Sequence, residues 1–451
     1  MERKPLVYHD LNLRFAAYQA SGDTSSYKVW VEGDTPNGAT MRPDDAAVAT
    51  YDAGMFWADV VAHSGGLLGN LEQRRIERDD LFKLGRLLTD MALPAGRVRD
   101  LFNENLISLK TGEALRLRLH IDPVALTGLP WEYMALPQTS GEPQDTDFFA
   151  LHREISIVRT DTVETATRTL PDRDAAQIVG VLSSPSDQRE LDVESDKAGL
   201  ENAIQDLNEA AGHQLINLRW AARPATRETV RDALSPGADI FHFAGHALFE
   251  PLSHEGKIVL ERADHTSDFY SGSQLAALLA GLGVRLALLG ACDTGRRDGQ
   301  NVWSGVAPAL TAHKIPAVIG NQFRIKDESA ILLASALYPL LLSGYAIDEA
   351  LCVARQVIYQ QKTLMGRDWG VPVLYLNDKT GILFPRPAAT LESGPTGPFI
   401  RVINAFGTVA GKVTGAVIEN MRTGRIDVNT TVEDVKAGGD VIGVTFRGGG
   451  S

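Results

Sequence analysis

Two residues of this 451-residue chain are of the types that make a nucleophile–base pair: Cys292 and His246. A neutral thiol is a poor nucleophile, so a reactive cysteine needs either a depressed pKa or a base beside it. Imidazole is the side chain best matched to moving a proton near neutral pH. Together the two groups would support acyl transfer through a thioester. Their sequence settings match. Cys292 follows an apolar run, Val284 to Leu289, within Leu288-Leu-Gly-Ala-Cys-Asp-Thr-Gly295, and His246 closes a second run, Ile240-Phe-His-Phe-Ala-Gly-His246.

Each run has the length of a strand and is apolar but for Arg285 in the first and His242 in the second, the pattern of a strand buried on both faces of a parallel sheet. The Cys292 run is expected to stop at Gly290, leaving the thiol where the strand emerges into a loop marked by Asp293, Thr294 and Gly295. Open α/β sheets bind ligands just beyond the carboxyl ends of their strands. Two such ends in one sheet would bring the thiol and the imidazole together.

The surrounding sequence alternates strands and helices. Gln177–Leu182 reads as a strand, Val193–Ala211 as a helix and Gln214–Leu218 as a strand. A helix capped by Thr226 runs to Leu234, and a hairpin-like Gly256–Leu260 follows the His246 strand. Helices Ser273–Ala280 and Gly305–Ala312 flank the Cys292 strand. Strand Ala317–Gly320, core helices Lys326–Ser343 and Ile347–Gln361, and strand Val371–Tyr375 complete the series. This alternation predicts an α/β fold with a mostly parallel sheet covered by helices on both faces.

The chain divides into four parts on this reading. Residues 1–165 form an N-terminal α/β supporting region, residues 170–385 the domain carrying Cys292 and His246, residues 386–398 a Pro/Gly-rich linker, and residues 399–451 a small β-rich segment. In the first part, Leu11–Tyr18 and Tyr27–Val31 read as strands with one buried face. From Leu67 to Leu106 the apolar residues, among them Leu81, Leu84, Leu87 and Leu88, recur at helical spacing, with Pro94 as a break. Ala114–His120 alternates apolar and polar residues, and Phe149–Val158 reads as a further strand. Leu129-Pro-Trp-Glu132 reads as a packed corner with Trp131 buried and Glu132 capping a turn. Gly65-Gly-Leu-Leu-Gly69 reads as a turn, since no βαβ unit surrounds it.

Composition narrows the class. A formal net charge of −13 argues against a general nucleic-acid or anionic-membrane surface. Two cysteines, Cys292 and Cys352, cannot build a disulfide framework and fit a reducing, cytoplasmic setting. The polar start Met1-Glu-Arg-Lys-Pro lacks the apolar core of a secretory signal, and the run Ala330–Leu342, broken by Tyr338 and Pro339, falls short of the ~20 residues of a membrane span. There is no G-x-S-x-G elbow, no P-loop and no H-E-x-x-H, and nothing calls for a cofactor or metal.

Competing readings of the reactive residues follow from what buried cysteine and histidine usually do. Cys352 lies on the apolar face of a helix and reads as a small core hydrophobe. His242 shares parity with His246 and reads as a hydrogen-bonded structural residue. A zinc site from His242, His246 and Cys292 is the rival to catalysis, but it lacks close ligand pairs and a fourth ligand.

With these residues in place, the chain resembles the CHAT-domain family, the caspase-like and separase-like cysteine peptidases of prokaryotes. The likeness rests first on Phe241-His-Phe-Ala-Gly-His246 and Leu288-Leu-Gly-Ala-Cys-Asp-Thr-Gly295, whose separation is close to the ~50 residues of caspase-type Cys/His pairs. It extends to Leu129-Pro-Trp-Glu132, Trp303-Ser-Gly-Val-Ala-Pro-Ala-Leu310, Ala317-Val-Ile-Gly-Asn-Gln-Phe323 with Asp327, Ala350–Arg355 and Asp368-Trp-Gly-Val-Pro-Val-Leu-Tyr375. Coverage runs from about residue 80 to 380, leaving the C-terminal segment outside.

The resemblance implies a caspase-like fold in which Cys292 is the nucleophile and His246 the general acid/base. It implies an oxyanion hole made by the backbone N–H groups of Cys292 and of Ala247, which stands where family members often carry glycine. The loop after the fifth core strand, which lines the P1 pocket in related folds, maps near Gln322, Phe323, Arg324 and Asp327. Asp327 or Asp293 would favour a basic P1 side chain and Arg324 an acidic one. The resemblance further implies a protein substrate, a regulatory protein partner and a role in bacterial defence or stress response. The β-rich segment would then serve self-association or sensing. The alternative is a non-catalytic scaffold that keeps the fold as an interaction surface.

Overall fold

In the computed structural model the described residues are 5–18, 24–33, 35–39, 41–52, 66–136, 147–160, 175–250, 255–293, 303–361 and 366–385. Residues 161–174, the linker 386–398 and the segment 399–451 lie outside them, as do the side chains of Cys292 and Asp293.

Among these residues the strands are β1 (Val7–Tyr18), β2 (Thr24–Glu32), β3 (Ala47–Asp52), β4 (Glu113–Ile121), β5 (Ile155–Arg159), β6 (Ala176–Leu182), β7 (Ile216–Trp220), β8 (Ile240–Glu250), β9 (Glu255–Glu261), β10 (Ser267–Ser271), β11 (Leu286–Asp293), β12 (Ala317–Asn321) and β13 (Pro372–Leu376). They form one 13-stranded sheet, with the path β10-β9-β8-β11-β12-β13-β5-β4-β1-β2-β3 and with β6 and β7 continuing from the first half of β8. Most neighbours are parallel; β13 runs antiparallel to β12 and parallel to β5, joining at Tyr375↔Arg159. Strands from before residue 165 and from after residue 170 therefore share a single ladder.

Side-chain alternation sends the apolar residues of the β6, β8, β11 and β12 strands to two cores. Ile178, Ile240, Leu286, Leu288 and Ile319 pack on one side with helices Val193–Ala211, Asp327–Leu342 and Ile347–Gln360. Val179, Phe241, Phe243, Ala287, Leu289 and Val318 face helices Arg227–Leu234, Gly272–Ala280 and Trp303–Ala312. Each fully buried Leu or Phe contributes about 1.5–3 kcal/mol, and helices on both faces are what parallel strands this apolar require. Local chemistry sets the helix starts. Thr226 and Ser271 each cap a first turn through a reciprocal box with Thr229 and Gln274.

Arg116 and Arg118 of β4 are buried under helix Ile347–Gln360 and the segment after β13. Arg116 is held by Asp348 at 2.6 and 2.8 Å and by Asp10, and Arg118 by the carbonyls of Leu376 and Asp378. Three local expectations differ from the structure. The segment from Phe149 turns as a short 3-10 helix, Phe149–Leu151, before β5 begins at Ile155. Gly66 caps a helix, Leu67–Glu72, where a turn was expected, because Leu67 and Leu71 find a core to bury in. Trp131 is buried as expected, but Glu132 caps no turn; its carboxylate is paired inside the protein with Arg159 at 2.7 Å. No helix among the described residues is long and apolar enough to cross a membrane.

Candidate active site

The Cys292 strand does not stop at Gly290. β11 pairs with β12 only from Leu286 to Leu289, then runs on to Asp293 against β8. The extension is possible because β8 is itself long. Its first half pairs with β6, and from His246 onward it pairs with β9 instead. The parallel register sets Gly290 beside Ala244, Ala291 beside Gly245, Cys292 beside His246 and Asp293 beside Ala247. Neighbouring strands lie about 4.8 Å apart, so the backbones of Cys292 and His246 are immediate neighbours at the carboxyl end of the sheet. Gly245 is demanded by close approach. A Cβ there would meet the ring of the buried Phe243 at 2.6 Å and the Ser183 carbonyl at 3.0 Å.

His246 is almost fully buried, and its Nε2 lies 2.6 Å from the carbonyl oxygen of Arg189. A carbonyl only accepts, so Nε2 carries the hydrogen and donates it; in the neutral ring Nδ1 is then the basic nitrogen. Arg189 belongs to the loop from Ser183 to Asp192 that follows β6. This contact has no signature in the sequence, since any residue supplies a carbonyl.

His242, one layer deeper on the same strand, bonds the Tyr338 hydroxyl through Nδ1 at 2.7 Å, and burial pushes its pKa down to about 4. It is a neutral structural residue. Four strand residues also separate it from His246 by about 13 Å, too far for one ion with ligand bonds of ~2.1 Å to take both. Cys352 is buried in helix Ile347–Gln360, and desolvation, partly offset by Arg355 and Arg153, pushes its thiol up to about 12. It is inert at neutral pH.

Ala247 continues β8 as ordinary extended backbone, so alanine in place of glycine brings no strain there. Of the candidates after β12, Gln322 and Phe323 are interior. The Gln322 amide donates to Glu132 at 3.1 Å and to the Gly370 carbonyl, and accepts from Arg159. Phe323 lies under the Arg367 guanidinium, 5.3 Å from the ring centre. Arg324 and Asp327 are exposed. The Arg324 carbonyl accepts from Arg74 and Arg367 at 2.9 Å each, and the buried Asp368 accepts from the Lys326 N–H, the Ser329 hydroxyl and Arg74. Two sequence motifs thus converge on this loop: Glu132 of Leu-Pro-Trp-Glu holds its start and Asp368 of Asp-Trp-Gly its end. That convergence was not read from the sequence, because the partners lie far apart along it.

Arg324 and Asp327 sense each other. Burial raises the Asp327 carboxyl and Arg324 draws it back, while Asp192 and Glu328 push it up. Asp196, in the first turn of helix Val193–Ala211, is raised from 3.8 to about 6 by burial and by Asp327 and Asp192. The folded state binds this proton more tightly than the unfolded one. The associated stability is therefore full below pH 3.8 and is lost as pH rises through about 6. Asp196→Asn is expected to stabilise the protein by about 1 kcal/mol at pH 8, after allowance for solvent screening, and by nothing at pH 3.5. Thermal unfolding at the two pH values measures this; an equal effect at both would show that the carboxylates do not repel.

Residues 83–377, well over half of the chain, match the family described as CHAT domain. Among curated proteins none matches the sequence. Among solved structures, the chain is similar to separase in the Saccharomyces cerevisiae separase–securin complex, with 13% identity and a TM-score of 0.35 over 62% of this chain. It spans 17% of that separase chain. It is also similar to the Arg-specific cysteine proteinase gingipain R, with 13% identity and a TM-score of 0.38, covering 71% of this chain and 76% of that one.

Proposed function

Because the chain belongs to the CHAT-domain family, we propose that it is a caspase-like cysteine endopeptidase working through His246 and Cys292. The observation that carries this reading is the parallel register that sets Cys292 beside a histidine whose Nε2 is committed to the Arg189 carbonyl. Nδ1 of His246 takes the thiol proton and the sulfur attacks the scissile carbonyl carbon. The oxyanion accepts a hydrogen bond from the Cys292 N–H; the Ala247 N–H, expected as the second donor, belongs to a residue flanked by β9 and β11 and is taken up by the sheet. Collapse breaks the C–N bond, the amine leaves with the proton from the imidazolium, and the acyl group stays on sulfur as a thioester. Water, deprotonated by the same Nδ1, then releases the acid and restores the thiol. On this reading Arg324, exposed on the clamped loop after β12, and Asp327, exposed at the start of the helix that follows it, would choose the P1 side chain. The role in bacterial defence or stress response, the cytoplasmic setting and activation by a protein partner belong to the same reading, and the family membership is their support.

The test is proteome-wide profiling of new N-termini in lysate of the native host, comparing the protein with Cys292→Ala. Termini that appear only with Cys292 intact are the expected result, and the residue preceding each gives P1 directly. If none appears even with the neighbouring gene products added, the scaffold reading replaces this one.

A further inference from the structure

We infer that Glu261 is a positioning residue that orients the His246 imidazole by holding the loop that carries the Arg189 carbonyl. Glu261 ends β9, and its carboxylate is fully buried. A buried carboxylate costs several kcal/mol unless it is paired, and the chemistry of Cys292 and His246 does not use this one. Its Oε1 accepts the N–H of Ser184 at 2.9 Å and lies 3.8 Å from Nη2 of Arg223, while Oε2 lies 3.3 Å from Nδ1 of His265. Ser184 stands at the start of the loop that ends at Asp192. The rest of that loop is tied to the turn after β9: the Ser186 N–H donates to the His265 carbonyl at 2.8 Å, and Asp187 accepts from the N–H and hydroxyl of Ser267 at 2.9 and 2.6 Å. The Ser184 hydroxyl closes the loop by accepting the Leu191 N–H.

β9 therefore fixes His246 twice. Val259 pairs with His246 in the ladder and sets its backbone, and Glu261, two residues on, sets the path of the loop whose carbonyl sets its ring. The Arg189 side chain is exposed and has no part in this. Loss of the Glu261 carboxylate frees Ser184, lets the loop drift and misaims Nδ1. A misplacement of about 1 Å at a proton-transfer group can cost about a hundredfold in rate.

This inference rests on the dyad reading, and its experiment separates the two. The readout is the pH profile of iodoacetamide alkylation of Cys292 in the full chain, followed by peptide mass, with thermal unfolding recorded in parallel. The parent is expected to react well below the ordinary thiol range, and His246→Ala only within it. Glu261→Ala is expected to move towards His246→Ala, with alkylation at pH 7 down about tenfold. Glu261→Gln, which keeps an acceptor for the Ser184 N–H, should restore most of the parent profile. Asp187→Ala, an exposed substitution that loosens the middle of the same loop, should shift the profile the same way by a smaller factor and provides the measurement if Glu261→Ala does not fold. Should parent and His246→Ala profiles coincide, the dyad reading falls and this inference with it. Should those two differ while folded Glu261→Ala, or Asp187→Ala in its place, follows the parent, the positioning role alone is overturned.

Discussion

Substituting His246 by alanine is expected to lower kcat/KM for peptide cleavage about a thousandfold, equivalent to about 4 kcal/mol of transition-state stabilisation. The expectation comes from the position of the ring, not from its mere presence. With Nε2–H donated to the Arg189 carbonyl, Nδ1 serves the thiol on attack and the leaving amine on collapse, so its loss affects both steps. Alanine also leaves the Arg189 carbonyl without its donor, which loosens the loop around the site. His246→Asn separates these effects, since an amide can still donate but cannot act as a base near neutral pH. Both variants should be equally slow if proton transfer is what matters. An asparagine variant retaining a tenth or more of the parent rate would mean that His246 orients and does not transfer protons. Steady-state kinetics on a peptide drawn from the cleavage profile decides between them.

Glu132→Ala is expected to destabilise the fold by about 3–5 kcal/mol, the usual consequence of removing one member of a buried ion pair. Arg159 would keep the Thr127 and Leu129 carbonyls and the Gln322 amide but lose its charge partner, while Gln322 would lose the carboxylate it donates to. The same substitution should raise KM more than it lowers kcat, because Gln322 opens the loop proposed to line P1. Glu132→Gln, with one acceptor oxygen left, should retain part of the stability and most of the KM. Chemical denaturation gives the first quantity and kinetics the second. An alanine variant as stable as the parent would show that Arg159 is satisfied without the carboxylate. One that is destabilised with unchanged KM would detach the loop from substrate binding.

The sheet was legible in the sequence because parallel strands are buried on both faces and so appear as largely apolar runs, as at Leu286–Leu289 and at Ile240–Phe243, which only His242 interrupts. The helix caps at Thr226 and Ser271 are local and were also within reach, although Ser271 lies two residues before the start assigned from sequence. What could not be read depends on pairing across long separations. β11 continues to Asp293 only because β8 outlasts β12 as a partner, and Gly290 looks like a strand end when that partner is out of view. The alternation of β4 does not show what meets its polar positions: Arg116 is met inside by Asp348, whose carboxyl burial alone would raise and which Arg116 instead holds below its usual value. Glu132 and Asp368 fell within recognised motifs, yet their common target, the loop after β12, emerges only when three distant segments are folded together.

The Arg189 carbonyl has a consequence for how such a site varies over time. A backbone oxygen has no proton to lose, so acidity does not remove this acceptor from His246. It also survives almost any substitution at position 189, and selection on catalysis is blind to the identity of that residue. The constraint passes instead to side chains that touch neither substrate nor base and only set where the loop runs. Drift at position 189 and fixity at its supports is the pattern to look for among relatives of this chain.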